Sequence, residues 1–171
     1  MADDPFNYGL LAALAIALLI AAFTDIRERR IANWLNLAIA AGAPLFWIAS
    51  GLSLWPGVAI QLGFAIAVFA VLSVLFAMRA MGGGDVKLLT ALALWIDPAN
   101  FGRLIVMMAL IGGVLTIAVW AWHAFRRNQH KPKIPYGVAI AAAGLWIIST
   151  VYMPATATPI AAAAIAASAG Q

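Results

Sequence analysis

Met81-Gly-Gly-Gly-Asp-Val-Lys-Leu-Leu-Thr90 interrupts a chain that is otherwise almost continuously apolar. Its three consecutive glycines weaken any helix there, each by ~1 kcal/mol relative to alanine. An acid, Asp85, and an amine, Lys87, follow at once, with apolar runs at about 57–78 and 86–97 on either side. Both neighbours belong in lipid and the acid does not. The purpose of a carboxylate beside flexible backbone in that setting is therefore the question the sequence poses.

Of the 171 residues, 65% are hydrophobic and 9% charged, and the mean hydropathy is +1.00. A soluble domain carries roughly 25% charged residues, so the composition places the chain in a bilayer. Apolar runs fall at about 8–25, 33–50, 57–78, 86–97, 103–124 and 135–153, and a membrane-crossing helix needs ~20 apolar residues. The expected fold is all-α and polytopic, with about six transmembrane helices forming one domain over residues 1–153. The alanine-rich tail, residues 154–171, is expected to be a short peripheral helix or disordered. At ~1.5 Å per residue the fourth run covers only part of a ~30 Å hydrocarbon core, so it is expected to begin inside the protein or in a thinned, hydrated region. The first run follows Asp3 and Asp4 without a basic residue. A signal peptide has a positive leading segment, so this run is read as a retained span.

A net charge of +4 could suggest nucleic acid, but the basic residues lie in short connections between apolar runs, where they set membrane topology. Arg27, Arg29, Arg30, Arg79, Lys87, Arg126, Arg127, Lys131 and Lys133 occupy the odd connections; of the ten Lys and Arg residues only Arg103 does not. The positive-inside rule then puts the odd connections in the cytoplasm and both termini outside it. Trp34, Trp47, Trp55, Trp95, Trp122 and Tyr136 lie near expected span ends, where aromatic rings serve as interface anchors or in packing. The chain has no cysteine, which excludes disulfides, thiolate metal sites and cysteine nucleophiles. His123 and His130, without nearby acids, make a poor metal site. The glycine run lacks the G-x-x-x-x-G-K-[ST] spacing of a phosphate loop.

Asp25, in Ala21-Ala-Phe-Thr-Asp-Ile-Arg27, closes the first span, and Asp85 opens the fourth. Topology puts both at the cytoplasmic boundary of the membrane, so they share a depth and a face. Asp85 could simply be the N-cap of the fourth helix, with the glycines as the turn before it. Asp25 could pair with Arg29 at i+4, yet it stands near a helix C-terminus, where the dipole disfavours an anion. Acids at the membrane are costly and so are functional candidates. Two close carboxylates cannot both ionise easily, and a pair sharing one proton can activate water and polarise a carbonyl. The same acids could instead relay protons or bind a cation in a transporter. Against that reading, the glycine–acid signature occurs once, with no counterpart in a second half. A non-catalytic scaffold would tolerate loss of both acids.

Gly82–Asp85, "GGGD", is similar to the G-x-G-D motif of intramembrane aspartyl proteases, and with the following "VKLL" it resembles the type IV prepilin peptidases. "FTDIRERRIANWL", Phe23–Leu35, resembles that family's first aspartate motif, and "KIPYGVAIAAAG", Lys133–Gly144, its proline–glycine motif opening the last conserved helix. The segments come in the family's order, and the similarity runs over most of residues 8–153. It implies a catalytic pair, Asp25 and Asp85, in an endopeptidase that removes the basic leader from prepilins in the bacterial cytoplasmic membrane, on its cytoplasmic side. Gly82, Gly83, Gly84, Lys87, Pro135, Tyr136 and Gly137 are the expected substrate-binding or active-site loop residues; a Cβ on the glycines would obstruct a substrate backbone. No metal or organic cofactor is implied, and the expected partners are prepilin-like substrates and membrane lipid, not nucleic acid. The sequence departs from many first motifs at Ala32, where they have proline. The short first connection and the lack of cysteine differ from larger members that also methylate their product. They point to a peptidase-only form like those serving tight-adherence (Flp-type) pili.

Overall fold

A computed structural model describes residues 5–125 and 136–153, which form helices joined by short connections. Helix α1 spans Pro5–Glu28, α2 Asn33–Ala49, α3 Ala59–Ala77, α4 Gly83–Ala93, α5 Pro98–Phe125 and α6 Tyr136–Ile147. A π-type turn, Leu54–Val58, leads into α3, and another, Ile148–Tyr152, continues α6. Each apolar run of the sequence becomes one helix, with ends shifted by a few residues. The segments Pro5–Glu28, Leu54–Ala77 and Pro98–Trp122 are long and apolar enough to cross a membrane, and α2 and α6 are shorter apolar helices. The chain is a multi-pass membrane protein.

The core is built around α4, which packs against α2, α3 and α6, while α1 and α5 pack on α6. Leu88, Leu89, Leu92 and Ala93 of α4 lose all contact with solvent, as do Ala139, Ile140, Ala143 and Ile147 of α6. Lipid tails are as apolar as leucine, so helices associate here through close packing rather than through hydrophobic exclusion. Gly144 supplies one such approach: a Cβ on it would stand 2.8 Å from Leu18 Cδ1 of α1. The outer faces of α3 and α5 present Val71, Val74, Val114, Ile117 and Trp120 outward, an apolar surface suited to lipid and not to water.

Helix α4 has 11 residues, about 16 Å, and stops well short of a full crossing. A helix end leaves backbone carbonyls unpaired, and hydrocarbon offers them no donor. The protein provides donors from three directions. Gln61 Nε2, from α3, donates to the carbonyls of Ala93 and Ile96, both at 2.8 Å. Trp47 Nε1, from α2, donates to the Leu94 carbonyl at 2.7 Å. The Tyr152 hydroxyl, beyond α6, makes a longer contact of 3.4 Å to the Trp95 carbonyl. Trp95 in turn donates to the Ile39 carbonyl at 2.7 Å and stacks on Phe46 with centroids 5.2 Å apart. Trp47 and Trp95 thus belong to the packed interior, whereas Trp34, Trp55 and Trp122 are exposed as interface anchors would be. The fourth segment ends inside the protein, while its first residues, Gly82–Asp85, line open cavities.

Replacing Gln61 with leucine leaves two buried carbonyls without their donor. At ~1–3 kcal/mol for each unsatisfied group, Gln61→Leu should lower stability by about 2–6 kcal/mol in detergent unfolding. An unchanged midpoint would show that the carbonyls find other donors.

Candidate active site

Two helix ends and two helix beginnings meet at one place. Asp25 occupies the last turn of α1, and Arg29, with φ 54°, ends that helix by donating its backbone N–H to the Asp25 carbonyl at 3.0 Å. Helix α3 ends on Arg79, with φ 60°. There Ala80 N–H donates to Leu75 O and Arg79 N–H to Phe76 O, each at 2.9 Å, the paired bonds of a Schellman terminus. Glycine normally takes that left-handed position, since a Cβ there costs ~1–2 kcal/mol. Both arginines line the same cavity as the two acids.

Helix α4 begins with Gly82 as its N-cap, in extended conformation and with no side-chain cap. Gly83 and Gly84 are therefore helical, not a preceding turn, and Asp85 is the third residue of the helix rather than its N-cap. The Asp85 carboxylate reaches back to the Gly82 backbone N–H, the reciprocal half of a capping box. The positive end of the helix dipole favours the charge there.

Both carboxylates face two adjoining cavities of about 610 and 780 Å³, each lined by Asp25, Arg29, Gly82 and Asp85. Asp85 lies in the first turn of α4, outside the three long spans. Its half-buried carboxylate is close enough to Asp25 for the two charges to repel, and the Gly82 amide faces it. Asp25 is only 7% exposed and lies at the start of α6, where the Gly137 and Val138 amides face it. Its Oδ2 has no hydrogen-bond partner among the described residues. Each acid rests on a glycine: a Cβ on Gly137 would stand 2.8 Å from Asp25 Oδ2, and one on Gly82 2.9 Å from Asp85 Oδ2. Gly83 and Gly84 face Phe76 and Ile31 instead, at 3.2 and 3.4 Å from an added Cβ.

Tyr136 lines the larger cavity. Lys87 lines neither; it sits within α4, not in the connection before it, and donates from Nζ to Asn33 Oδ1 at 2.8 Å. Pro135, His130, the basic residues after α5 and the tail lie outside the described residues. Sequence reasoning did not single out Thr24, Asn33 or Phe76 as cavity-lining residues, nor the left-handed backbone of Arg29 and Arg79. A non-glycine residue in that conformation leaves no mark in composition or periodicity. The "RERR" cluster after Asp25 was the nearest signal.

A model of the type IV leader peptidase family matches residues 12–122, a segment that includes both acids. The Prepilin leader peptidase/N-methyltransferase of Aeromonas hydrophila is 30% identical over 148 residues, covering 82% of this chain and 49% of that protein. Its counterpart in Aeromonas salmonicida (strain A449) is 29% identical over 155 residues, with the same coverage. The chain spans about half the length of the curated relatives it matches. No solved structure matches it. The chain belongs to the type IV leader peptidase family.

The glycine under Asp25 gives a direct check on the geometry. Gly137→Ala drives a methyl into the carboxylate and should cost ~1–3 kcal/mol in unfolding, as overpacking does. Gly113→Ala, where nothing lies within 4 Å of an added Cβ, should change stability by less than about 1 kcal/mol. Equal effects would mean that Asp25 does not rest on Gly137.

Proposed function

We propose that this member of the type IV leader peptidase family is a membrane-embedded aspartyl endopeptidase that cuts the basic leader from Flp-like prepilins. Asp25 and Asp85 are its catalytic pair, working at the cytoplasmic face of the bacterial inner membrane. The observation that carries the reading is the convergence of the two carboxylates on shared cavities between the ends of α1 and α3 and the starts of α4 and α6. The names of the relatives support a prepilin as substrate. The arginines of the first and third connections support a cytoplasmic location for the site. The family match lends no weight to a transporter.

In the working state the pair holds one proton. The ionised acid takes a proton from water as the water oxygen attacks the scissile carbonyl carbon. The protonated acid donates to the carbonyl oxygen, giving a neutral tetrahedral diol. Collapse breaks the C–N bond, with the proton passing to the leaving amine and one proton returning to the pair. Burial beside α4's N-terminus and the repulsion between the acids are what keep that proton in the site. The glycines under each carboxylate hold both within reach of one substrate carbonyl. Arg29 and Arg79 surround the site with positive charge that balances the acids.

The test is cleavage of a Flp-type prepilin in membranes. Wild type should shorten the substrate, and Asp25→Ala and Asp85→Ala should each lower the rate by at least ~10²–10⁴-fold, the usual worth of a general acid or base, while accumulating normally. Cleavage surviving in either variant removes that acid from the mechanism. An intact substrate with wild type overturns the choice of substrate.

A further inference from the structure

Between α2, α3 and α4 runs a groove of about 370 Å³ that the chemistry above does not use. Leu37 and Phe69 form its exposed walls. Asn33 and Lys87, hydrogen-bonded to each other, lie at its end nearest the acids, and Asn33 also lines one of the carboxylate cavities. Groove and acid pair are therefore contiguous.

Within the groove lies an unexplained group. Asn36 is 5% exposed, and neither atom of its amide has a hydrogen-bond partner among the described residues. Burying an amide without partners is costly; the buried amides of Gln61 and Asn7 each donate to a backbone carbonyl, whereas Asn36 uses neither its donor nor its acceptor on the described residues. Thr90, across the groove, gives its hydroxyl proton to the Val86 carbonyl of its own helix. A lipid tail has no polar atom, and lipid esters and phosphates only accept. A peptide unit offers an N–H and a C=O together, matching what Asn36 lacks. A peptide near a scissile bond must be extended to be attacked, and its peptide groups are then unpaired.

We infer that the groove seats the apolar segment that follows the scissile bond of the substrate, and that Asn36 pairs with one of its unwound peptide units. Its amide atoms are covered in the free protein, so the side chain turns toward the groove as substrate enters from the lipid side. The inference rests on the proposed peptidase function. It adds a specificity-determining residue and a direction of entry.

Because the chain has no cysteine, single cysteines can be introduced as clean reporters. The test uses the Asp85→Asn protein in native membranes with a Flp-type prepilin that carries one cysteine in the first two turns of its apolar helix. Leu37→Cys and Phe69→Cys should form disulfides with the substrate, and Val114→Cys on the outer face of α5 should not. Absent groove cross-links, or equal ones from α5, overturn the inference whether or not wild type cuts the substrate; cleavage by wild type reports separately on the peptidase reading. In the otherwise unaltered enzyme, Asn36→Leu keeps the number of side-chain heavy atoms. It should raise KM about tenfold with kcat little changed, and its unfolding midpoint should hold or rise. An unchanged KM, or a lowered midpoint with kcat and KM altered together, would reduce Asn36 to a packing residue and overturn its role.

Discussion

Lipid supplies no hydrogen-bond donors, and a helix that stops part-way across a bilayer must find them in its own protein. The rest of this structure depends on how that requirement is met at the end of α4. Gln61, Trp47 and, at longer range, Tyr152 reach the carbonyls from Ala93 to Ile96, drawing α2, α3 and the end of α6 onto one point. With its far end fixed, α4 has a defined depth, and the position of Asp85 at its other end follows. The acid is placed by bonds made about 16 Å away, along a rigid helix.

The near end solves a second problem, how to keep two carboxylates together. Each lies on the Cα of a glycine, Gly82 under Asp85 and Gly137 under Asp25, so neither can be shifted by a side chain below it. Each also faces backbone N–H groups at a helix start, Gly82 for Asp85 and Gly137 with Val138 for Asp25. Two helix N-termini thus do what a metal or a ring of lysines would do elsewhere: they make negative charge tolerable without neutralising it. The arginines at the ends of α1 and α3 adopt a backbone conformation that glycine would take at lower cost. Strain of that kind collects at functional sites.

Most of the architecture was legible from the sequence, because apolar runs and the lack of charge within them follow directly from the solvent. The two acids were legible as well: they break the apolar pattern at span ends, and the glycine signature marks the second. What was not legible depends on side chains meeting across helices. Gln61 is a single polar residue in an apolar run, with no spacing to announce its partners at Ala93 and Ile96. Trp47 and Trp95 carried two readings, interface anchor or packing, because pattern cannot tell an indole at the headgroups from one donating to a buried carbonyl. The glycines of residues 82–84 suggested a loop, but the first of them is the N-cap of α4 and the other two are helical, since packing and the helix-terminal carboxylate outweigh the propensity cost of Gly83 and Gly84. Asn36 had no sequence mark at all.

If Asp25 and Asp85 work as one proton-sharing unit, single-turnover cleavage by wild type in lipid nanodiscs follows a bell in pH: the rate rises on an acid limb as the pair gives up its first proton and falls on an alkaline limb as it gives up the second. A rate that rises once and then stays level would mean that one ionised acid suffices and that no proton is shared.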